Sequence, residues 1–296
     1  MIKSFFDKIG IEYQVNASLK NYNTYKINAT CDYLVFPKNE EELISILKEI
    51  KSNDLKYLVL GNGSNIILSK EHYDGIVIKL DKLNEVIYND NLVTVGAGYS
   101  LIKIAVETIE KGLSGLEFAS GIPGYVGAST AMNAGAYNSD MASVIKNIKV
   151  LTPELEVKTM NKDDLAFEYR DSFLKKNKEY IVLSTTFELT DGDIETMKNL
   201  IAERRMKRMA SQPLNMPSAG SVFRNPEGMY AGELIEKCNL KGYTIGGAKV
   251  SEKHANFIVN NGGATGKDIV DLINKIQKEI KEEYDVDLKL EQIIVE

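Results

Sequence analysis

The stretch from Gly61 to Asn65 has the composition of a loop that binds phosphate groups through its backbone. It reads GNGSN and follows an apolar run, YLVL at 57–60. Two glycines allow positive φ angles that turn neighbouring N–H groups into one concavity, and such a concavity binds pyrophosphate without Lys or Arg. An ordinary tight turn is the alternative. The residues that we expect at a ligand here are Gly61, Asn62, Gly63, Ser64 and Asn65.

A second stretch is rich in Gly and Ala and low in charge. It reads SGIPGYVGA at 120–128 and runs on to MNAGAY at 132–137. Small residues permit the close approach of a flat ligand or of another backbone segment, so a ligand site and close helix packing are both open. The residues that we expect at a ligand here are Ser120, Gly121, Ile122, Gly124, Gly127 and Ala128.

Three polar features outside these stretches could take part in chemistry. Arg170, within YRD, has a planar guanidinium that can bind a carboxylate through two bonds; a surface ion pair, worth about 0–1 kcal/mol, is the alternative. Ser221 follows a glycine, where a tight loop could offer its hydroxyl to a ligand or simply turn the chain. Arg204 and Arg208 are spaced i,i+4 and suit a phosphate group or a solvated helix face.

Other familiar motifs are incomplete. The run GAGYS at 96–100 lacks the third glycine of a dinucleotide fingerprint, and Gly266-Lys267 lacks the rest of a P-loop, so ATP is not implied. The two histidines, His72 and His254, do not have metal-ligand spacing. We therefore predict no metal.

Composition narrows the class of protein. The chain has 296 residues, 44% of them hydrophobic and 26% charged, which suits two globular domains or three small ones. A net charge of −6 gives no general reason to bind nucleic acid. Two distant cysteines, Cys31 and Cys238, indicate a reducing compartment. No apolar run approaches the roughly 20 residues that span a bilayer. We predict a cytoplasmic protein that does not bind membranes.

The periodicity of apolar residues indicates an α+β chain. Helices are predicted over 40–51, over 100–111 between Ser100 as cap and Gly112 as stop, over about 193–210, and from about Thr265 onward. Asn89-Asp90-Asn91 indicates a hairpin turn. Strands are predicted at 57–60, 76–80, 84–88, 92–95, 144–152, 155–160, 181–189 and 288–295.

Together these segments resemble the UDP-N-acetylenolpyruvoylglucosamine reductase family, flavoenzymes of peptidoglycan precursor synthesis. Six blocks occur in the family's order, and the resemblance runs from about Asn23 to Glu291. The blocks are GNGSN, SGIPGYVGA, MNAGAY, YRDSF at 169–173, AGSVFRNP at 219–226 and GGAKVSEKHANFIVN at 246–260. The chain has no long insertion after Arg170, which resembles the shorter branch of the family. The tail after Glu291 departs from the family's usual Val, basic residue and glycine.

The resemblance implies a fold and a division of the chain. The expected fold is α+β, with a FAD-binding domain of two subdomains (of the PCMH/vanillyl-alcohol-oxidase type) and a smaller substrate-binding domain. We expect the FAD-binding domain over 1–192, split near 80, and the substrate-binding domain over 193–285. A terminal strand over 286–296 would carry Glu291.

The resemblance also implies the reaction. NADPH would reduce the bound FAD, and a UDP-sugar bearing an enolpyruvyl group would then enter the same cleft and be reduced to UDP-N-acetylmuramate. Hydride would pass from flavin N5 to the vinyl carbon, Ser221 would donate the proton, and Arg170 and Glu291 would stabilise the enolate. The substrate-binding residues would be Tyr169, Arg204, Arg208, Asn225 and Lys249, in a monomer.

Two alternatives stay open on the sequence. One is a flavin-dependent alcohol oxidase or dehydrogenase on the same scaffold, although no His or Cys that could tether flavin lies in the glycine-rich blocks. The other is a flavin-binding protein without catalytic activity.

Overall fold

A computed structural model of the protein describes residues 2–296. The helices are α1 (Ile2–Ile9), α2 (Glu40–Ser52), α3 (Leu101–Glu110), α4 (Val126–Ala131), α5 (Phe173–Lys176), α6 (Ile194–Ser211), α7 (Ala231–Lys237) and α8 (Gly266–Tyr284). Single 3-10 turns lie at Lys20–Tyr22, Glu117–Gly121, Met141–Ser143 and Lys162–Leu165.

Eighteen short strands alternate with these helices along the described chain. They are β1 (Glu12–Ser18), β2 (Thr30–Phe36), β3 (Tyr57–Leu60), β4 (Ile66–Leu68), β5 (His72–Lys79), β6 (Val86–Asn89), β7 (Leu92–Gly96), β8 (Leu113–Ser114), β9 (Gly135–Ala136), β10 (Ser139–Asp140), β11 (Ile145–Leu151), β12 (Val157–Asn161), β13 (Ile181–Glu188), β14 (Thr190–Asp191), β15 (Thr244–Ile245), β16 (Ala248–Val250), β17 (Ile258–Asn260) and β18 (Ile293–Val295).

By packing, the chain forms two compact units, each built from separate segments. The first unit contains the residues up to Val15 together with Tyr33–Gly61 and Gly75–Arg205, and the second contains Asn16–Asp32, Asn62–Asp74 and Met206–Glu296. The predicted domains, with boundaries at 192 and 285, were defined by the ligand that each would bind and not by packing. That division of the chain stays a prediction.

The first unit is organised around a five-stranded antiparallel sheet in the order β12-β11-β13-β7-β6. The β6–β7 hairpin pairs Asn89 with Leu92, and Asp90 takes φ 52°, so the predicted hairpin turn is confirmed. Helix α3 starts after Ser100, whose side chain accepts the N–H of Lys103, as predicted. A single apolar core contains buried residues of α2, α3 and this sheet. A four-stranded sheet has the order β1-β2-β5-β3.

The second unit contains a three-stranded sheet, β15-β16-β17, and the parallel pair β18–β4. Helix α8 begins with a capping box formed by Thr265 and Asp268, and its apolar face is buried. The predicted helix and its buried face are therefore confirmed; the isoleucines on that face are Ile269, Ile273, Ile276 and Ile280.

The terminal strand differs from its prediction. A regular strand covers only Ile293–Val295, which pairs with β4, whereas the residues before it change partner and form an isolated bridge between Leu290 and Phe223. The predicted strand over 288–295 was thus wrong in its extent, because the apolar pattern cannot show where a segment exchanges one partner for another.

Candidate active site

Ser221 lies in a turn of the second unit whose backbone is held by a buried asparagine. The preceding Gly220 has φ 75°, in the left-handed region that favours glycine. The N–H of Val222 donates to the carbonyl of Asn256 (2.9 Å). The Asn256 side chain accepts the N–H of Phe223 (3.0 Å) and donates to the Phe223 carbonyl (2.8 Å). Ser221 is therefore carried by a fixed backbone.

Glu291 lies directly opposite this turn. Its N–H donates to the carbonyl of Val222 over 2.9 Å, next to the bridge between Phe223 and Leu290. Its own carbonyl accepts from the side-chain amide of Asn65 over 3.1 Å. Both backbone groups of Glu291 are thus bound, and its half-buried side chain is placed beside the serine turn. The structure therefore brings two of the three predicted catalytic residues together.

Arg170 occupies the tip of a tight turn in the first unit. Glu168 and Asp171 exchange both backbone hydrogen bonds (3.0 and 3.1 Å), and Arg170 between them takes φ 55°. A residue other than glycine with positive φ has a strained backbone, and such residues cluster at functional sites. The guanidinium donates to the Gly135 carbonyl (2.5 Å) and lies 5.0 Å from the centroid of the Tyr169 ring. These contacts fix the direction of the cation.

Asn133 anchors the arginine turn to the MNAGAY loop. Its side-chain nitrogen donates to the Glu168 carbonyl (2.9 Å) and to Asp140 (3.0 Å), and its oxygen accepts the N–H of Ala142 (3.0 Å). Asn133 is buried, with φ 44°. Asn133 was not predicted as a site residue, although it lies inside the MNAGAY block.

The two glycine-rich stretches meet in the first unit. A Cβ at Gly61 would lie 3.0 Å from the Cβ of Ala128. Buried Lys79 donates to the Gly61 carbonyl, lies 3.0 Å from an Asp81 oxygen and stands 5.0 Å from the Tyr125 ring centroid. Burial lowers the pKa of the Lys79 ammonium, and the charge of Asp81 opposes that shift. Gly61 and Ala128 therefore approach closely, and the buried Lys79 ammonium is held by the Gly61 carbonyl and Asp81.

The rest of the first glycine loop packs within the second unit. Gly63 has φ 67°, and a Cβ there would clash with the carbonyl oxygen of Tyr22. The Gly63 carbonyl accepts the N–H of Thr24 (3.1 Å), and that of Asn65 accepts the N–H of Ile293 (2.9 Å). Asn62 and Ser64, on either side of Gly63, are half-buried. Position 63 therefore requires glycine for packing and backbone conformation, whether or not the loop binds a ligand.

The second glycine stretch leads into helix α4. A Cβ at Gly127 would lie 2.7 Å from the Cβ of Ala97, and one at Gly124 would lie 2.7 Å from the Ser129 hydroxyl. Close packing, the alternative reading, thus explains these two glycines in part. The predicted ligand residues of this stretch that are half-buried are Ser120, Gly121, Ile122 and Gly124.

The predicted substrate-binding residues lie in different surroundings. The Arg204 guanidinium stands 4.5 Å from the Tyr137 ring centroid, and Arg208 binds the side-chain oxygen of Gln212 (3.1 and 3.0 Å). The Asn225 side chain accepts the N–H of Ala231 (3.1 Å). Lys249 pairs with Glu252 (3.0 Å), while Tyr169 is 55% exposed. Their role in binding substrate stays a prediction.

Within residues 2–296, no group of His, Cys, Asp and Glu could hold a metal ion. Over the same residues, no helix is both long and apolar enough to cross a membrane.

Two family models and many curated proteins match this chain. A family model described as the C-terminal domain of UDP-N-acetylenolpyruvoylglucosamine reductase matches residues 212–295, and one described as a FAD binding domain matches residues 31–161. The UDP-N-acetylenolpyruvoylglucosamine reductase of Clostridium perfringens (strain SM101 / Type A) is 42% identical over 281 residues, which cover 95% of this chain and 92% of that protein. The reductase of Bacillus subtilis (strain 168) is also 42% identical over 281 residues, covering 95% and 93%.

The chain belongs to the UDP-N-acetylenolpyruvoylglucosamine reductase family.

Solved structures agree with this assignment. The crystal structure of the reductase from Thermus caldophilus matches with a TM-score of 0.81 at 32% identity and covers 97% of this chain and 99% of that one. Glucooligosaccharide oxidase from Acremonium strictum matches with a TM-score of 0.52 at 12% identity, covering 98% of this chain and 60% of that one, which is a likeness of fold alone. The predicted α+β fold with a PCMH-like FAD-binding domain is confirmed.

The first unit fits the flavin that this reductase family uses. The FAD binding domain model covers both glycine-rich stretches, and Gly61 and Ala128 approach each other closely within them. Lys79 was not predicted at the site, because it lies within the predicted strand 76–80 and a single lysine there is typical of a solvent-facing strand position.

Proposed function

We propose that the protein catalyses the NADPH-dependent reduction of UDP-N-acetylglucosamine enolpyruvate to UDP-N-acetylmuramate, a step of peptidoglycan precursor synthesis. Family membership at 42% identity over 95% of the chain supports the reaction class. The reaction adds one hydride and one proton across the vinyl bond of an enol ether. It therefore needs a donor of each and a group that stabilises the negative charge formed between the two steps.

Bound FAD supplies the hydride chemistry between NADPH and the substrate. In this proposal Gly61, Ala128 and the stretch from Ser120 to Gly124 line the cofactor, and Lys79 holds the Gly61 carbonyl. The FAD binding domain matched over 31–161 includes all of these residues.

The single observation that carries the catalytic assignment is the bond from the Glu291 N–H to the Val222 carbonyl, at 2.9 Å. It places a carboxyl group and a hydroxyl group on two backbone segments held in register by a bridge between Phe223 and Leu290. Two short segments fixed in this way can present both side chains to one substrate carbon. Such positioning accounts for a large part of catalysis when the transferring proton must reach carbon.

Ser221 donates the proton in this proposal. A serine hydroxyl is a weak acid, so its contribution comes from being held in place while the substrate carbon carries negative charge. Asn256 supplies that restraint through three hydrogen bonds to Val222 and Phe223. Glu291 lies beside the turn, and in this proposal its carboxyl group acts with Arg170 in stabilising the enolate.

Arg170 stabilises the developing charge. Its guanidinium is held by the Gly135 carbonyl and the Tyr169 ring, and a planar cation can bind a carboxylate through two parallel hydrogen bonds. Groups that are fixed before the reaction stabilise the transition state without reorganisation. Tyr169, Arg204, Arg208, Asn225 and Lys249 complete the proposal as residues that bind the nucleotide sugar.

The domain boundaries, the cellular location and the oligomeric state are also part of the proposal. Residues 1–192 would form the FAD-binding domain in two subdomains, 193–285 the substrate-binding domain, and 286–296 the segment that carries Glu291. The C-terminal family model, matched over 212–295, supports the second and third parts. Cys31 and Cys238 form no disulfide in residues 2–296, which supports the reducing, cytoplasmic setting of this proposal. A monomer that binds neither membranes nor nucleic acid completes the proposal.

The test is an anaerobic spectrum in two steps. NADPH is added first, and the visible flavin band should bleach; UDP-N-acetylglucosamine enolpyruvate is added second, and the band should recover promptly. Bleaching without recovery would favour the alternatives of an alcohol oxidase or a silent flavin-binding protein. A protein that shows no flavin band even after FAD is supplied would refute the proposal.

Ser221→Ala tests the proton donor separately. The recovery step should slow by about 10²- to 10⁴-fold, the range for general acid catalysis, while bleaching by NADPH keeps its rate. Ser45→Ala is the matched control, because the Ser45 hydroxyl binds only the Glu41 carbonyl of its own helix. A Ser221→Ala protein that recovers at the normal rate would remove Ser221 from the mechanism.

A further inference from the structure

Gln292, next to Glu291, makes three side-chain hydrogen bonds in the interior of the second unit. It is 3% exposed. Its nitrogen donates to the carbonyls of Ala219 and Gly220, over 3.0 and 3.2 Å, and its oxygen accepts from the Tyr25 hydroxyl over 2.9 Å. These two carbonyls belong to the residues immediately before Ser221. Gln292 therefore binds the residues before Ser221, whereas Asn256 binds the two residues after it.

The orientation of this amide is determined by its neighbours. Two carbonyl oxygens face its nitrogen and can only accept, so the NH₂ group must point toward them. The phenol of Tyr25 faces its oxygen and donates. Tyr25 is fully buried, and burial raises the pKa of its hydroxyl above the ordinary value, which keeps the proton in place. Reversal of the amide would set oxygen against oxygen at two positions.

The side chain thus links the two proposed catalytic residues. Its own backbone follows Glu291, whose N–H and carbonyl are bound to Val222 and to Asn65. Its amide nitrogen holds Gly220, the flexible residue with φ 75° that precedes Ser221. Without that bond the glycine could change conformation, and the hydroxyl after it would move relative to the carboxyl group.

We infer that Gln292, held by Tyr25, is a positioning residue that fixes the Ser221 turn against Glu291 for proton delivery. The inference rests on the proposed role of Ser221. It predicts a specific defect, because the residue acts on the proton step and not on the binding of FAD or the reaction with NADPH. If Gln292 were merely structural, its substitution would lower the stability of the protein and would not slow the reaction with substrate more than the reaction with NADPH.

The experiment compares Gln292→Met with wild type by stopped-flow spectroscopy of the holoenzyme. Methionine has a similar length and shape but cannot donate to the two carbonyls. Recovery of the flavin band with substrate should slow by about 10- to 100-fold, the range for a small misplacement of a catalytic group. Bleaching by NADPH should stay within about twofold of wild type.

Gln277→Met is the matched control. The Gln277 amide also donates to a backbone carbonyl of the terminal segment, that of Leu288 (2.8 Å), but it does not bind the serine turn. We expect it to lower the melting temperature and to leave both half-reactions unchanged. Equal slowing of recovery in the two variants would mean that loosening the segment is sufficient, and it would overturn the inference.

Tyr25→Phe is the second variant, in case Gln292→Met does not fold. It keeps the ring and removes only the donor to the Gln292 oxygen. A smaller slowing of recovery, confined to the same step, supports the inference; recovery at the wild-type rate overturns it.

Ser221→Ala separates this inference from the proposed function. If Ser221→Ala slows recovery and Gln292→Met does not, the inference fails and the proposed function stands. If Ser221→Ala has no effect, the proposed role of the serine fails first, and the inference falls with it.

Discussion

The side chain of Asn256 pairs with both backbone groups of Phe223, accepting its N–H over 3.0 Å and donating to its carbonyl over 2.8 Å. The amide therefore forms the two hydrogen bonds that the backbone of a neighbouring strand would otherwise form with Phe223. Asn256 is 4% exposed, so water is not available to either group of Phe223 if the amide is lost. The serine turn of this reductase thus depends on a side chain that carries no charge.

Asn256→Asp should loosen that turn. The carboxylate can accept from the Phe223 N–H but cannot donate to its carbonyl, and an unsatisfied buried acceptor costs about 1–3 kcal/mol. We expect a lower free energy of unfolding, measured by urea titration, and slower recovery of the flavin band with substrate.

Asn53→Ala is the control for this prediction. The Asn53 amide donates to the Glu49 carbonyl (2.8 Å) at the end of α2, so its loss should cost stability alone. An Asn256→Asp protein with normal recovery would show that the turn keeps its geometry without the donor.

Arg170→Lys should reduce the rate of the substrate half-reaction by about 10²-fold, the usual loss when one fixed donor is removed from a site of developing charge. Lysine keeps the charge, but a single nitrogen cannot both donate to the Gly135 carbonyl and form two parallel bonds with a carboxylate. Lys176→Met is the control, because Lys176 only pairs with Glu168 and Asp171 of the same turn at 3.8 and 3.6 Å. Single-turnover kinetics with excess substrate would measure both; an unchanged rate in Arg170→Lys would contradict the assigned role.

Gly61→Ala should weaken FAD binding by about tenfold, since overpacking at a closely packed position costs about 1–3 kcal/mol. The added Cβ would stand 3.0 Å from the Cβ of Ala128, so the second change Ala128→Gly should restore the space and much of the affinity. Gly10→Ala is the control: an added Cβ there has nothing within 4 Å, and although its φ of 68° makes alanine strained and lowers stability, FAD binding should stay unchanged. Fluorescence titration of the apoprotein with FAD measures the affinity of wild type, the two single variants and the double variant. Failure of the double variant to regain affinity would argue against contact between the two loops.

Stability should depend on the protonation of His254. Burial lowers the pKa of its imidazole below the ordinary value of 6.5, and the charge of Lys241 adds to the shift while Glu236 opposes it. The ring nitrogen Nδ1 accepts the N–H of Asn256 over 3.2 Å, which requires the neutral form. The unfolded chain therefore binds the proton more readily than the folded one. The stabilisation is complete above pH 6.5 and is lost as the pH falls through the lowered pKa.

The comparison for this prediction is His254→Gln, which keeps an acceptor but does not titrate. Melting temperatures between about pH 5 and pH 8 should fall more steeply toward acid in wild type than in the variant. Parallel curves for the two proteins would mean that His254 does not contribute to the pH dependence.

Local signals in the sequence were sufficient for many elements of the fold. Helix α8 begins after Thr265 and buries one apolar face, and α3 lies between Ser100 and Gly112, because capping groups and a period of 3.6 act within a few residues. The hairpin turn at Asp90 follows from the same local chemistry. The glycine-rich stretches and the family's ordered blocks likewise indicated a flavin enzyme before any contact was known.

The arrangement of the site was decided by tertiary structure. Ser221 and Glu291 are far apart in sequence, and their backbones are brought together by the bridge between Phe223 and Leu290 and by the bond from the Glu291 N–H to the Val222 carbonyl. Because this pairing uses the residues before Ile293, the regular strand begins only there, which the apolar pattern could not show. Long-range pairing of this kind depends on which surfaces are buried together, and composition does not contain that information.

Buried polar residues show most clearly what the sequence does not reveal and the tertiary structure does. Asparagine and glutamine are usually exposed, so their side chains at 133, 256 and 292 gave no signal in the sequence, and neither did Lys79 at the end of a strand. Once the fold removes water from them, each must find partners in the protein, and those partners are the backbones of the proposed catalytic turns and the glycine loop. The sequence by itself determined the kind of chemistry and most of the elements; only the tertiary structure decided which polar groups lose their water and hold the site in place.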